Sequence, residues 1–362
     1  MDRDLILYLN AIGISYKYYE YLLEIFQDLD KLLERKGRFD DLNLTSRMKS
    51  KLEKAYFDFN LDDYKESLWK VGAKFMTQAD DCFPEHLRHI PDPPYLLYYK
   101  GQWKNIFNYS IGVVGARKCT NYGVWAVQEI AGGLSQMGIP IASGLALGID
   151  KIAHQWALSH NNYTVAVLGT GIDKEYPASN RNVYRQMNNH EKAVILSEYP
   201  LGTSAARHTF PWRNRIISGI GLGLVIVEAK KHSGTLITAK YAAEQGKEVF
   251  AVPGNINSIY SKGTNELIKD GAKIVTGIED ILVELPQLRE LTEEKKISID
   301  FDGFSQGERR VYQALEEFPK HPDELCFQLD MGVQEVMLNL TKLEMKGYIN
   351  QIGDKFTISF SK

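Results

Sequence analysis

Phosphate and arginine suit each other chemically, because a planar guanidinium donates two hydrogen bonds at once to one anion. Four arginines of this chain stand in stretches where that chemistry is open to them. They are Arg117 in "VVGARKCTNYG", Arg207 in "TSAARHTF", and Arg213 and Arg215 in "FPWRNRIISG". Small and polar residues recur in the same stretches and in their counterparts. Ser143 and Gly144 open "SGLALGID", Asn180 and Arg181 close "GTGIDKEYPASNR", and Ser233, Gly234 and Thr235 sit in "EAKKHSGTLITA". Glycine lets a backbone approach a ligand closely, and free N–H groups at a helix start attract anions. Phe210 and Trp212 add rings able to stack on nucleobases.

Each feature also has a plain structural reading. Ser233 can simply cap a helix, a contribution of about 1 kcal/mol. Arg213 and Arg215 can pair with Glu198 or Glu228 and hold loops together. His154, at helical spacing after Asp150, can be a carboxylate's partner as well as a base. Gly112 and Gly115 can serve helix–strand packing. What sets these residues apart is where the surrounding elements would bring them together.

Between Ile106 and about Leu285, short apolar runs alternate with helical stretches. The runs are "SIGVVG", "PIASG", "TVAVLG", "AVILSEY", "LGLVIVEA", "EVFAVPG" and "AKIVTG". Continuous apolar runs bounded by Gly or Pro indicate parallel strands buried on both faces. Helical stretches such as "GVWAVQEIAGGLSQMG" and "TLITAKYAAEQG" fill the gaps. The pattern predicts an α/β fold, a doubly wound parallel sheet of the extended Rossmann kind. In such a sheet ligands bind at the carboxyl ends of the strands, and every stretch quoted above falls there.

The flanking regions differ. Residues 1–68 carry helical spacing in "LILYLNAIGISYKYYEYLLEIFQDLDKLLE" and predict a small helical domain. Prolines 91, 93 and 94 mark a lead-in segment, and "YLLYY" after them suggests an extra strand. The sheet domain is assigned to 69–285 and a charged linker to 286–303. Residues 304–362 read as three helices and a hairpin turning at Gly353-Asp354, a winged-helix-like arrangement. That last module holds seven Lys and Arg against nine Asp and Glu, a net of −2. Such a charge favours protein contact over duplex binding.

Composition narrows the function classes. With 44% hydrophobic and 25% charged residues, the 362-residue chain is of ordinary globular type. "MDRDLILYLN" reads as neither signal peptide nor anchor, and no apolar stretch reaches the ~20 residues needed to span a bilayer. Cys82, Cys119 and Cys326 are odd in number and far apart, so neither a disulfide framework nor a zinc site is expected. A cytoplasmic protein without membrane contact fits. A net charge of −3 confines any nucleic-acid binding to a local patch. A nicotinamide dinucleotide does not fit. The first loop lacks the third glycine of the fingerprint, and Ala142-Ser143-Gly144 ends the second strand without a carboxylate for a ribose. No Walker loop is present, and no cofactor is expected.

Taken in order, "VVGARKCTNYG", "SGLALGID..AH", "GTGIDKEYPASN", "SEYPLG......FPWRNRIISG", "VIVEAKKHSGTLITA" and "VFAVPGN.....S.GTNELI..GA" resemble the DNA-processing protein A family (DprA/Smf) over residues 70–285. The resemblance implies an extended Rossmann fold that grips single-stranded DNA, with an N-terminal helical domain of SAM or helix-hairpin-helix type and a winged-helix tail. It implies a homodimer that hands the strand to the RecA recombinase in natural transformation, and no enzymatic turnover. The positions matching family motifs are Arg117, Arg207, Phe210, Arg213, Asn214, Arg215, Ser233, Gly234 and Thr235. Some members carry a lysine after the proline of the third loop. Here that residue is Ala178, and Arg181 is its candidate replacement. Two rival readings remain at this stage. A nucleotide-processing enzyme of related fold would need a Pro-Gly-Gly-x-Gly-Thr-x-x-Glu stretch, whereas "HSGTLITAKYAAE" lacks the paired glycines and that glutamate. A nucleotide-binding signalling module would prefer a mononucleotide to a longer strand.

Overall fold

The computed structural model describes residues 2–289, 303–315, 319–352 and 354–358. Helices α1 (Arg3–Ala11), α2 (Tyr19–Phe26), α3 (Leu29–Leu33), α4 (Ser46–Asp58) and α5 (Leu61–Lys70) come first. Their starts are set by side-chain caps: Asp2, Asp28, Thr45 and Asn60 accept from the first-turn N–H groups of α1, α3, α4 and α5. The apolar faces do not close on themselves. Leu5, Leu9, Leu22 and Leu52 share one buried cluster with Tyr98, Leu168, Tyr184 and Ile195 of the sheet region. The Tyr98 hydroxyl donates to Asn10 Oδ1 at 2.8 Å, tying the two regions through polar atoms as well.

The sheet has nine strands. They are β1 (Lys74–Thr77), β2 (Leu96–Gly101), β3 (Ile111–Val114), β4 (Ile141–Ser143), β5 (Thr164–Leu168), β6 (Ala193–Ser197), β7 (Gly223–Ile226), β8 (Glu248–Ala251) and β9 (Lys273–Ile274). Their spatial order is β1-β2-β6-β5-β4-β3-β7-β8-β9. The seven from β3 to β9 pair in parallel, as the apolar runs predict. "YLLYY" forms β2, which pairs antiparallel with β6, and β1 adds an antiparallel edge beyond it. β1 escapes a reading of sequence because "KFMT" is four residues with one buried pair and no flanking repeat.

Helices cover both faces. α7 (Asn121–Val127) runs through a π turn, Gln128–Gly132, into α8 (Gly133–Gln136). α9 (Ile149–Ser159), α10 (Arg181–Asn188), α11 (Thr209–Gly219), α12 (Gly234–Glu244), α13 (Lys262–Lys269) and α14 (Ile278–Glu284) follow, after the short α6 (Glu85–Arg88) near β2. One face packs Val113, Ile130, Leu134, Ala153 and Val225; the other packs Leu97, Val165, Ile216, Ile217 and Leu224. Full burial of each such side chain is worth about 1.5–3 kcal/mol. β3 continues to β4 on one side and has β7 on the other, so the winding reverses there. That reversal opens a crevice at the carboxyl ends. Residues 286–289, expected to begin the linker, still belong to this fold, since Leu288 is fully buried in its core.

The last region contains α15 (Gln306–Ala314), α16 (Pro322–Leu329), α17 (Val333–Met345), β10 (Ile349–Ile352) and β11 (Lys355–Ile358). The two strands form an antiparallel hairpin around a core of Val311, Leu325, Leu340, Leu343 and Phe356. This is the three-helix-and-hairpin arrangement expected. Gly353 of its turn and residues 290–302 of the linker lie outside the described residues.

Candidate functional site

A groove of about 790 Å³ opens over the carboxyl ends of β3 and β7. Its walls are residues 114–118 at and after the end of β3, Ala146 after β4, residues 205–207 before α11 with Phe210, Pro211, Arg213 and Asn214 of its first turns, and Lys230 with residues 233–235 at the start of α12. Gly148, which turns the chain into α9, holds φ +72°, and a Cβ there would collide with the Ala116 carbonyl. The first two loops can therefore lie side by side only with glycine at that position.

Four exposed cations line the groove: Arg117, Lys118, Arg207 and Lys230. Three rings stand with them. The Arg117 guanidinium lies 5.6 Å from the Phe210 ring centre, and Lys230 Nζ lies 4.8 Å from that of Tyr260. Tyr176 packs on Phe210 with centres 5.5 Å apart. At the start of α12, Ser233 Oγ accepts from the Thr235 N–H at 3.2 Å. Thr235 Oγ1 donates to the Gly115 carbonyl at 3.2 Å, and nothing would contact a Cβ on Gly234. That helix therefore presents its N-terminal turn to the groove, so the cap and the anion-site readings of Ser233 describe the same atoms.

The FPWRNR stretch behaves differently from a loop. It forms the first turns of α11, so residues 213 and 215 lie about 200° apart around the axis. Arg213 turns to the groove floor. Its Nη1 donates to the Gly144 carbonyl at 2.8 Å and to that of Val167, and its Nε donates to Asn214 Oδ1 at 3.2 Å. Burial lowers its pKa to about 10, against the opposing pull of Asp150. Asp150 is the one carboxylate on the lining among the described residues, and it is buried. It accepts from the Gly144 N–H at 3.1 Å, and desolvation raises its pKa. The charge that faces solvent in the groove is therefore positive.

Glycine in two of the expected motifs has a specific cause. A Cβ at Gly144 would lie 2.7 Å from the Arg213 guanidinium, and one at Gly169 would lie 2.7 Å from the Phe210 ring. Both positions leave room for the protein's own side chains. Gly115 is likewise closed off by Ile149, and Gly112 by Leu224, as the packing reading allows.

Of the expected site residues, Arg117, Arg207, Phe210, Arg213, Asn214, Ser233, Gly234 and Thr235 line the groove. Gly144 lines a small adjoining cavity of about 50 Å³ under Phe210. Four others are placed elsewhere, for reasons the structure makes plain. Ser143 is fully buried, its hydroxyl donating to the Val113 carbonyl at 2.6 Å to join β4 to β3. Asn180 is buried and donates its amide to the Leu145 and Ala146 carbonyls, both at 2.9 Å. Arg181 pairs with Glu175 at 2.8 Å, a carboxylate that Arg185 also meets at 3.2 Å. It lines neither cavity. Arg215 is 1% exposed and pairs with Glu198 at 2.6 Å. Its guanidinium lies 4.4 Å from the Trp212 ring centre, which realises the ion-pair alternative. Glu228, the other carboxylate considered, accepts from the Thr120 N–H and hydroxyl instead.

Sequence reading missed Lys118, Lys230, Tyr176 and Tyr260. The first three had a signal, since each sits in a loop already singled out. Tyr260 lies inside the last family stretch quoted above, and its approach to Lys230 is a tertiary contact.

His154 is neither a base nor a carboxylate's partner. It is fully buried, and its Nδ1 meets Thr164 Oγ1 at 2.8 Å. Burial, helped by the positive Arg213, lowers its pKa to about 3. The unfolded chain takes up a proton near pH 6.5 and the folded one near pH 3. This contribution to stability is complete above about pH 6.5 and is lost as pH falls through that window. Comparing wild type with His154→Gln, the stability difference is expected to move by about 2 kcal/mol against wild type between pH 7 and pH 5. Denaturant melts at the two pH values measure it, and a constant difference refutes the burial of a neutral imidazole.

Among the described residues no helix is long and apolar enough to cross a membrane, and no cluster of His, Cys, Asp or Glu could hold a metal. The model of the DNA recombination-mediator protein A family matches residues 74–286, more than half of the chain and all of the groove. The chain belongs to this family. A model of the DprA winged helix domain matches residues 302–355. The DNA processing protein DprA of Streptococcus pneumoniae is 43% identical over 228 residues, 62% of this chain and 79% of that one. Protein Smf of Synechocystis is 33% identical over 328 residues, 81% of this chain and 82% of its own length. Among solved structures, the S. pneumoniae protein superposes with a TM-score of 0.66 at 34% identity, over 78% of this chain and 97% of that one. DNA processing protein A of Helicobacter pylori, described for its single-stranded DNA binding mode, superposes with a TM-score of 0.52 at 28% identity, over 59% of this chain and 96% of that one. This family member thus has a Rossmann-like sheet and a winged helix in one chain.

Proposed function

We propose that this chain grips single-stranded DNA in the groove without reading its sequence, and that as a homodimer it hands the strand to the RecA recombinase during DNA uptake and recombination. One observation carries the binding step. Exposed cations and aromatic rings share a groove whose one carboxylate among the described residues is buried. Arginine and lysine meet phosphates of any sequence, and rings stack on any base. The helix start at Ser233–Thr235 adds N–H donors for a phosphate. The single-strand binding mode of the H. pylori relative supports the same reading. Family membership is what points to the recombinase and to the homodimer.

Fluorescence anisotropy with labelled oligo-dT, duplex DNA and a mononucleotide tests the binding step. Preference for the single strand is expected, with log affinity falling against log salt at a slope near −3 for about four phosphates. Equal affinity for the mononucleotide, or a flat salt dependence, refutes it. Faster recombinase filament formation on a strand first bound by this protein tests the handover.

A further inference from the structure

The groove side formed by Lys118, Lys230 and Tyr260 continues onto an exposed aromatic step. α7 starts just after Lys118 and buries Gly123, Ala126 and Val127. Its opposite face turns Tyr122 and Trp125 outward, 42% and 52% exposed. Their rings are 5.9 Å apart and inclined by 31°. Tyr122 donates its hydroxyl to the Pro253 carbonyl at 2.7 Å, which fixes the step against the loop that leads to Tyr260. Trp125 has half its surface in solvent, so core packing does not account for so large a ring there.

Charge identifies the occupant. Segments 115–121, 229–231 and 253–262 join the step to the groove. Together they contain Arg117, Lys118, Lys230, Lys231 and Lys262; Lys231 pairs with Glu266 at 3.7 Å, and Glu129 lies four residues beyond Trp125. Lys118 and Lys230 are exposed on the groove lining beside the step, with no carboxylate within ion-pair distance among the described residues, and flat rings next to such cations suit a polyanion with aromatic bases. We propose that Tyr122 and Trp125 form a stacking platform for the bases of a single strand leaving the groove past Lys118 and Tyr260. The binding track is then longer than the groove itself. This rests on the groove reading given above.

The test compares wild type, Trp125→Ala and Trp125→Phe on labelled oligo-dT of about 4 and about 16 nucleotides. Light scattering of the free proteins accompanies it. Trp125→Ala should bind the short strand as wild type does and lose about fivefold or more on the long one, as expected for one lost stacked base. Trp125→Phe should restore most of that loss, and the molar mass of the free protein should not change. Unchanged affinity on both lengths overturns the platform, as does an equal loss on both. A changed molar mass assigns the step to a protein contact and overturns it too. Wild type that binds neither strand removes the groove reading together with the platform. A short strand that binds wild type but shows no Trp125 effect on the long one removes the platform alone.

Discussion

Replacing Arg117 and Arg207 together by alanine should weaken oligo-dT binding by about 100-fold or more, because each charge-assisted hydrogen bond is worth about 1.5–3 kcal/mol. Both guanidinia are exposed on the groove wall. Neither has a carboxylate within ion-pair distance among the described residues, so their removal leaves no buried partner uncompensated. The variant should therefore melt like wild type. The salt dependence separates lost phosphate contacts from a general loss of fit. Its slope should become shallower by about 1.4, at roughly 0.7 per contact. Arg117 also lies over Phe210, so part of the loss comes from a ring no longer held in place. Wild-type affinity and slope in this variant would remove both arginines from the interface.

That pair of arginines differs from the pair that stands out in the sequence. "FPWRNR" draws the eye because two arginines bracket an asparagine, and a loop reading sends both to one rim. A helix sends residues 213 and 215 to opposite sides, and the Pro at position 211 is compatible with a helix's first turn. Strands were legible because a parallel strand buried on both faces must be apolar throughout, as "TVAVL" and "AVILS" are. The crevice was legible because it follows from strand order. The reason for glycine at 144 and 169 was not. It depends on Arg213 and Phe210, which lie 69 and 41 positions away along the chain and come close only through the fold. The burial of Ser143 and Asn180 has the same origin. Their hydroxyl and amide satisfy backbone carbonyls that the sequence does not show to be in need.

Arg215→Ala should be the most destabilising of these changes and should barely alter strand binding by the protein that remains folded. Arg215 and Glu198 form a buried pair between α11 and the segment after β6. Removing one partner of such a pair leaves the other charge uncompensated, at about 3–5 kcal/mol. The melting midpoint should fall by roughly 6 °C or more. The consequence reaches the groove only through the scaffold. Asn10 of α1 donates to the Glu198 carbonyl at 3.2 Å, and Gln245 at the end of α12 donates to the Arg215 carbonyl at 2.9 Å. The pair thus sits where the N-terminal helices, α11 and α12 meet. Arg215→Met with Glu198→Gln keeps the volume and removes both charges, so the double variant should recover much of the single variant's loss. A structural pair predicts that recovery, together with wild-type oligo-dT affinity measured well below the melting temperature. A phosphate clamp predicts the opposite pattern: Arg215→Ala would melt like wild type and lose binding, and removing the Glu198 charge would rescue nothing.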